Sequence, residues 1–578
     1  MKLGPVMLNR KLVTILLAAT IVLYLLDGLL NWWAGFHGVR FAAHACLGLT
    51  SLAALLLWGE WAAYLTALLY VLCFPHAGFG FLGFVCLVPL MLAALHGDRR
   101  RAMWLAWLAG TLANVGKLYW IVYTISYFSP IPFAAAVVIL LMLTATLGLF
   151  WALFFGTVHW AVRRRGMPLW LVFPAGWVFW DWFLTWFLGG FPWDLLGCAA
   201  FHVPLFNQTL DLVGEHGLGW LLAFGNVAFY ELWLFARKRR TFPLAQTSVL
   251  GVLIVASLIY GFVRGGQIER LMQAGKVVRV GMAQGNIDQS VKWKPEFREK
   301  VLEDYARLAN QIAQQGVDLI IFPETAIPRR QLRWREVHPE IFRYARENKS
   351  WFLTGVASAQ HLEIPDESGV DISMRNSAVL ISPAGEAVSW YDKNRLVPFG
   401  EYIPKKHWLE KIASAFGIDE IKGTLNFEPS GEYHLMNYPG APFSVFICYE
   451  AVYPDTVRTL NRLGATFLVT ITNDAWFGPT SAPYQHWAQV AMRAIESRRY
   501  VARAANTGIS GVIDPLGRTI MATDIYVRAQ SVGEVRTVNV ETVYDRIGDA
   551  AAYAAAAIYL AALLWALIVR RKVKEQTS

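Results

Sequence analysis

The run Phe443-Ser444-Val445-Phe446-Ile447 is wholly apolar apart from one serine, and it ends on Cys448 before Tyr449-Glu450-Ala451-Val452-Tyr453. Such a run reads as a buried strand that delivers a thiol to a turn and then to a helix. Two further runs end in the same manner. Leu319-Ile320-Ile321-Phe322-Pro323 leads to Glu324, and Ala378-Val379-Leu380-Ile381 precedes Lys393. A thiol, a carboxylate and an amine at the ends of separate strands are the parts of an activated-thiolate acyl-transfer site. Taken alone, a free cysteine is more often a small buried hydrophobe. At a strand-to-helix turn, however, backbone N–H groups and the positive helix end favour the thiolate, which is the expectation for Cys448. Glu324 beside an apolar strand suits a general base for that thiol, against the plainer reading of a solvated loop carboxylate. Lys393 suits an oxyanion stabiliser, against the plainer reading of a surface lysine.

The rest of the chain sets the surroundings of that thiol. Hydrophobic residues make up 56% of the 578 residues and charged residues only 16%, too apolar for a soluble protein of this size. Up to Val263 the chain is a series of long apolar runs, from Arg264 to about Asp549 it reads as globular sequence, and Ala550 to Val569 is a last apolar run. Candidate membrane spans lie near 12–33, 41–58, 60–75, 79–96, 103–127, 132–162, 168–189, 217–236, 242–263 and 549–570. The 60–75 run is short and broken by Pro75, so a partial span is expected there. The first run lacks a small-residue cleavage site and reads as an anchor. With the N-terminus inside, Asp98-Arg99-Arg100-Arg101, Arg163-Arg164-Arg165, Arg237-Lys238-Arg239-Arg240 and the tail Arg570-Arg571-Lys572 all fall on one side. This is the positive-inside pattern, and it puts the polar domain outside the cytoplasm.

These loops and the tail account for much of the net charge of +10, so the basic balance asks for no nucleic-acid partner. Cys46, Cys73, Cys86 and Cys198 lie in or beside apolar spans, which leaves Cys448 without a partner for a disulfide in an exported domain. The run Arg329, Arg330, Arg333 and Arg335 around Trp334 reads as a solvated face, with phospholipid headgroups as the alternative.

Within the polar domain, Val277 to Gln284 reads as a strand, and Val301, Tyr305, Leu308 and Ile312 share one face of a helix. A strand at 318–322, a helix at 337–348, a strand at 351–357 and a hairpin turning at Pro383-Ala384-Gly385 follow. After the strand to Cys448 come a helix near 453–463, a strand from Ala465 to Thr472, a helix near 484–503, and strands at 511–513 and 532–535. Strands alternating with helices and hairpins imply a mixed sheet layered with helices.

The segments Gln284-Gly285-Asn286-Ile287-Asp288-Gln289-Ser290-Val291-Lys292-Trp293, Phe322-Pro323-Glu324-Thr325, Lys393 through Tyr402 with its VPFGEY run, Cys448-Tyr449-Glu450 and Asn473-Asp474-Ala475-Trp476-Phe477-Gly478 carry a resemblance. The pattern resembles the nitrilase superfamily, and within it the apolipoprotein N-acyltransferases of Gram-negative envelopes. Gly189-Gly190-Phe191-Pro192-Trp193 in the apolar half looks like the same family. The resemblance implies a polytopic α-helical membrane domain plus an α/β nitrilase-like αββα sandwich. By resemblance, Glu324 is the base, Lys393 the oxyanion stabiliser, Cys448 the nucleophile and Glu401 a supporting carboxylate. Tyr449 and Glu450 would shape the nucleophile loop, Trp293 and Trp476 line a lipid entrance, and Asn376 join the pocket. For the two tryptophans, interfacial anchoring or core packing is the plainer alternative.

The implied reaction moves an acyl chain from a membrane phospholipid to a diacylglyceryl apolipoprotein at the bacterial inner membrane, with the catalytic domain facing the periplasm and with no cofactor or metal. The expected division is an N-terminal extension with two spans (1–58), which the family usually lacks, a membrane domain (59–264), a catalytic domain (265–548) and a closing anchor with a basic tail (549–578). Two rivals make different demands. A tethered amidase would hydrolyse small soluble amides without lipid. A transporter or receptor would use ionisable residues such as Asp27, Lys117 and Asp181 inside its spans.

Overall fold

The computed structural model describes residues 60–75, 77–292, 294–326, 339–359, 373–404 and 426–568. The spans expected at 12–33 and 41–58, Asp27, Cys46, Trp293, the arginine run at 329–335 and the tail from Arg570 lie outside them.

The apolar half folds as helices α1 (Trp61–Leu72), α2 (Val88–Ala94), α3 (Arg99–Leu118), α4 (Trp120–Phe128), α5 (Phe133–His159), α6 (Leu169–Phe183), α7 (Leu210–Ala236) and α8 (Leu244–Ala274). Phe133–Arg164, Phe206–Ala236, Leu244–Ala274 and the closing helix Ala550–Ile568 are long and apolar enough to cross a membrane. α1 reaches only about 18 Å at 1.5 Å per residue, short of a hydrocarbon core of roughly 30 Å. The run expected as one span at 103–127 is instead two helices that meet at Tyr119. The 79–96 run is a 3₁₀ turn, Gly80–Phe84, followed by the short α2. α3 starts where Asp98 caps it, its carboxylate accepting the Arg101 N–H at 2.8 Å.

Burial sorts these helices. The apolar window of α7 is 72% buried, whereas those of α5 and α8 are 28% and 17% buried. α7 is thus the core of the bundle, and α5 and α8 present Met142, Val252 and Phe262 outward. An exposed apolar surface on this scale fits acyl chains and not water.

The polar half is two stacked sheets. The first has the order β13-β1-β2-β3-β4-β5, with β6 on β4, and the second β12-β11-β10-β9-β8-β7. The strands are β1 (Val277–Gln284), β2 (Leu319–Ile321), β3 (Trp351–Ala359), β4 (Ser373–Ile381), β5 (Ala387–Asp392), β6 (Asn426–Phe427), β7 (Leu435–Met436), β8 (Phe443–Ile447), β9 (Phe467–Thr472), β10 (Val501–Ala505), β11 (Gly511–Ile513), β12 (Thr519–Ala522) and β13 (Ala529–Arg536). Parallel pairs β1–β2–β3 and β8–β9–β10 form the middle of each sheet. Alternation along β2 explains the layers. Leu319 and Ile321 join Phe443 and Val445 between the sheets, while Ile320 packs outward against Tyr305 and Ile312.

Helices α9 (Arg298–Ala313) and α10 (Pro339–Asn348) cover the first sheet, and α11 (Pro454–Arg462) and α12 (Ala482–Ser497) cover the second. The result is the αββα sandwich, followed by α13 (Val543–Ile547) and the closing α14 (Ala550–Ile568). The boundary placed at residue 264 falls inside α8, which continues as a polar helix to Ala274.

The helix expected at 484–503 ends at Ser497. Arg498 takes a left-handed conformation (φ 51°), and Val501–Ala505 is strand β10. Arginines at 498, 499 and 503 look like the solvated face of a longer helix, yet all three are buried with partners from elsewhere in the chain.

α12 also holds the sandwich to the membrane domain. Gln485, Gln489 and Arg493, four residues apart, share one face. Gln485 Oε1 accepts the Trp193 indole N–H at 2.8 Å, Gln489 donates to Asp194 at 2.9 Å, and Arg493 donates to Glu215 at 2.8 Å. Arg498 completes the clamp on Asp211 at 2.9 Å and on Gln208. Lys117, at the end of α3, donates to the Trp193 and Asp194 carbonyls at 2.9 and 3.0 Å. Its ammonium therefore fixes the loop that α12 grips, which gives Lys117 a structural use in place of the one the transporter reading assigns it.

Candidate active site

Four polar side chains from the first sheet and its loops converge. Glu324 follows β2, Asn376 lies in β4, Lys393 follows β5, and Glu401 sits eight residues further on. Glu324 Oε1 accepts from Asn376 at 2.6 Å and from Lys393 at 3.3 Å. Glu401 Oε1 accepts from the same two donors at 2.8 and 2.9 Å. The second sheet closes the ring, since the Asn473 N–H after β9 donates to Glu324 Oε2 at 2.9 Å. Glu401 is held in turn by the Val397 N–H at 2.8 Å. Burial works against the Lys393 ammonium, but Glu401 and then Glu324 more than offset it and raise its pKa. Lys393 is therefore a permanent cation with both carboxylates fixed around it.

Cys448 opens the 3₁₀ turn after β8 and is buried within electrostatic reach of Glu324 and Lys393. Its backbone is left-handed (φ 52°), as is that of Thr325 beside Glu324 (φ 45°). Strained backbone at Cys448 and just after Glu324 turns the chain sharply off the end of each strand. Gly355 in β3 makes the second corner possible, because a Cβ there would stand 2.7 Å from the Glu324 Cα. The thiolate expectation is corrected here. Burial, and then the charge of Glu324, push the Cys448 thiol above its ordinary value against the pull of Lys393. A five-residue turn cannot outweigh that desolvation, so the resting sulfur carries its proton.

The remaining expected residues brace or border this centre. Glu450 is fully buried and accepts from the Asn394 and Ile447 N–H groups, each at 2.7 Å, and from Tyr391 at 2.8 Å. It therefore ties the lysine loop to the nucleophile loop. The Tyr449 hydroxyl donates to the Gly190 carbonyl at 3.3 Å, and that of Tyr453 to the same oxygen at 3.1 Å. The Cys448 turn is thus tied to the Gly189-Gly190-Phe191-Pro192-Trp193 loop of the membrane domain. Trp476 is half-exposed and packs on Phe128 of α4 at 4.6 Å. The carbonyl of Trp476 accepts from Thr124 at 2.8 Å. With Tyr123 and Tyr127 stacked beside it, an aromatic rim crosses from α4 to the loop after β9. Phe399 in the lysine loop is 72% exposed, a large apolar ring beside a polar centre.

Three further features of the site are not marked by any spacing in the chain. His486 donates from Nε2 to the Cys448 carbonyl at 3.0 Å, and its other ring nitrogen meets Asp474 at 3.0 Å. Arg503 in turn holds Asp474 at 2.6 Å. This buried column props the Cys448 turn from behind. Lys292 is the third, fully buried with Nζ 3.1 Å from the Thr325 hydroxyl, and burial lowers its pKa to about 8 against the pull of Glu324. Asp474 and Lys292 stood in the quoted motifs, but nothing in spacing alone marks which motif residue faces the sulfur.

A thiol, a carboxylate and an ammonium joined across two stacked sheets define an enzyme of the carbon–nitrogen hydrolase class, and the model of that family, "Carbon-nitrogen hydrolase", matches residues 279–539. "Apolipoprotein N-acyltransferase N-terminal domain" matches residues 66–228. Apolipoprotein N-acyltransferase of Geobacter metallireducens is 34% identical over 88% of this chain and 95% of its own length. That of Azotobacter vinelandii is 32% identical over 85% and 91%. Among solved structures, the Nesterenkonia AN1 amidase aligns with 46% of this chain and 94% of its own at 17% identity and a TM-score of 0.33. The chain belongs to the apolipoprotein N-acyltransferase family, and it is an acyltransferase.

Proposed function

We propose that Cys448 carries a fatty acyl group from a membrane phospholipid to the α-amino group of a diacylglyceryl-modified N-terminal cysteine. The observation that carries this reading is the pair of hydrogen bonds from Tyr449 and Tyr453 to the Gly190 carbonyl, which seats the nucleophile turn on the membrane domain. A soluble amide needs no such seat; an acyl donor confined to the bilayer does.

In the first half-reaction Glu324 takes the Cys448 proton as the sulfur attacks the ester carbonyl. Lys393 neutralises the oxyanion, and the tetrahedral adduct expels the glycerol oxygen, which receives the proton from Glu324. A lysophospholipid leaves and a thioester remains. In the second half-reaction the acceptor amine attacks the thioester carbonyl and gives its proton to Glu324. The amide departs, and that proton returns to the sulfur. Glu401 and Asn376 keep Lys393 and Glu324 aligned through both halves. Tyr449 and Glu450 hold the nucleophile loop, and the rim at Trp476 borders the lipid entrance, with Trp293 assigned to the same entrance by resemblance.

The basic loops and the tail support a catalytic domain on the periplasmic side of the inner membrane. The division at 1–58, 59–264, 265–548 and 549–578 serves this arrangement, with anchors on both sides of the catalytic domain. The test offers the full chain in phospholipid–detergent micelles a diacylglyceryl peptide, or a soluble amide alone. N-acylation of the peptide supports the reading, and ammonia release from the amide without peptide acylation overturns it.

A further inference from the structure

A cavity of about 460 Å³ opens at the end of the membrane domain remote from the catalytic sandwich. The chain itself fixes that position. α7 leaves the sandwich at Asp211, which Arg498 holds, and from Gly214 to Ala236 it rises about 33 Å, one bilayer core. The cavity lies where α7 ends, where α5 passes into the Trp160–Arg164 turn, and where α6 and α8 begin. Its walls divide by chemistry. Leu95, Val162, Leu169 and Leu234 are apolar, while Arg163, Arg239 and Arg240 stand at the mouth.

The cations are in excess there. Arg163, Arg164, Arg165, Arg237, Lys238, Arg239 and Arg240 flank the cavity, and Glu231 is the only acidic residue in its lining. Glu231 is buried and already faces Arg240 at 3.7 Å. Arg163 and Arg239 have no ion-pair partner among the described residues. Arg165 lies over Trp160 at 5.4 Å and Arg237 over Trp233 at 5.3 Å. Indoles held beneath guanidinium groups are typical of the headgroup layer, so the mouth sits at lipid phosphate depth.

We infer that this cavity is a binding site for the phosphodiester headgroup of an anionic phospholipid in the leaflet remote from the catalytic domain. The guanidinium groups of Arg163 and Arg239, free of ion pairs among the described residues although Arg239 also lies over Trp233 at 6.0 Å, take the phosphate, and the apolar wall takes the glycerol and the first methylenes. Inorganic phosphate shares the anionic chemistry but would leave that wall exposed to water. The site is separate from the acyl-donor site, since a full bilayer lies between it and Cys448. Its occupant holds the ends of α5, α6, α7 and α8 together and is not consumed.

The test uses the full chain, purified in non-ionic detergent and stripped of lipid. Phosphatidylglycerol, phosphatidylethanolamine or sodium phosphate is titrated in while the thermal-unfolding midpoint and the bound-lipid mass are followed. Phosphatidylglycerol raises the midpoint and is retained preferentially. The Arg163→Gln/Arg239→Gln double variant requires about tenfold more of it for the same shift, the loss of roughly one decade of affinity. Peptide N-acylation with a fixed donor is unchanged in that variant. An equal response to the ethanolamine lipid, a full response to sodium phosphate, or an unaltered response in the double variant would each overturn the inference. If the double variant does not fold, the wild-type chain decides. The phosphatidylglycerol shift must then shrink as salt rises, and a salt-independent shift sinks the site.

Discussion

Two clusters of buried charge lie on either side of the nucleophile turn, and they differ in kind. At the membrane junction Arg264, Arg493 and Arg498 meet Asp211, Glu215 and Glu496 in ion pairs of 2.8–3.0 Å. Three guanidinium groups face three carboxyl groups, of which Glu496 keeps its proton at neutral pH, and nothing in the arrangement needs to change during a reaction. In the candidate centre two carboxylates, Glu324 and Glu401, surround the ammonium of Lys393, and a protonated thiol stands beside them. The first cluster is a clamp. The second holds a carboxylate oxygen ready to receive a proton. Burial of charge is therefore no mark of function by itself; what distinguishes the candidate site is a thiol set beside a carboxylate and a fixed ammonium.

The sharpest break between the two comes from Cys448→Ala. Transfer should fall by on the order of 10⁴-fold or more, while thermal unfolding of the detergent-solubilised chain stays within a few degrees of wild type. Retained peptide acylation in that variant would move the nucleophile elsewhere. Lys393→Met is the next largest, removing the oxyanion donor and costing roughly 10²–10³-fold in kcat. A variant that loses only substrate affinity would show that the ammonium serves binding.

Mutating the clamp should give the opposite signature. Arg498→Met leaves Asp211 with one fewer partner in a buried setting, and the cost is about 3–5 kcal/mol of stability. At low temperature, where the chain remains folded, acyl transfer should persist. Direct loss of the chemical step at full folding would merge the two clusters into one.

The smallest effect is a slope with pH. Burial, and then Glu215 on the shared Arg493, push the Glu496 carboxyl up to about 8 against the pull of Arg493 itself. A raised folded pKa means that the native state holds a proton the unfolded chain has released. The stabilisation is complete below the ordinary carboxylate pKa near 4.5 and is lost as pH climbs through about 8. Glu496→Gln should flatten unfolding midpoints across that window, and an unchanged slope would assign the dependence to another group.

Glu324 and Cys448 were legible as candidates because each ends an apolar run, and a strand end is where a buried sheet can expose a side chain. Lys393 was a weaker candidate, since the apolar run before it ends at Ile381 and the strand it follows, β5, is only partly apolar, and the resemblance added Asn376 and Glu401. The end of α12 was not legible, since Arg498, Arg499 and Arg503 continue a helical pattern whose break depends on partners such as Asp211 and Asp474, which lie hundreds of residues or a whole element away. The protonation of Cys448 was misread for a related reason. Sequence shows the turn and its helix end, but the depth of burial that outweighs them exists only after the two sheets stack. The apolar runs likewise announced a membrane domain without revealing that 103–127 holds two helices meeting at Tyr119, or that α7 is the most buried of the four long apolar helices.

The central claim is that the Cys448 sulfur carries the acyl group between lipid and peptide. Intact-mass analysis of the full chain, incubated with phospholipid and no acceptor, tests it most directly. The account predicts a mass gain of one fatty acyl group on Cys448 that hydroxylamine releases and that a diacylglyceryl peptide discharges. A chain that transfers acyl groups to peptide while never showing that adduct would contradict it.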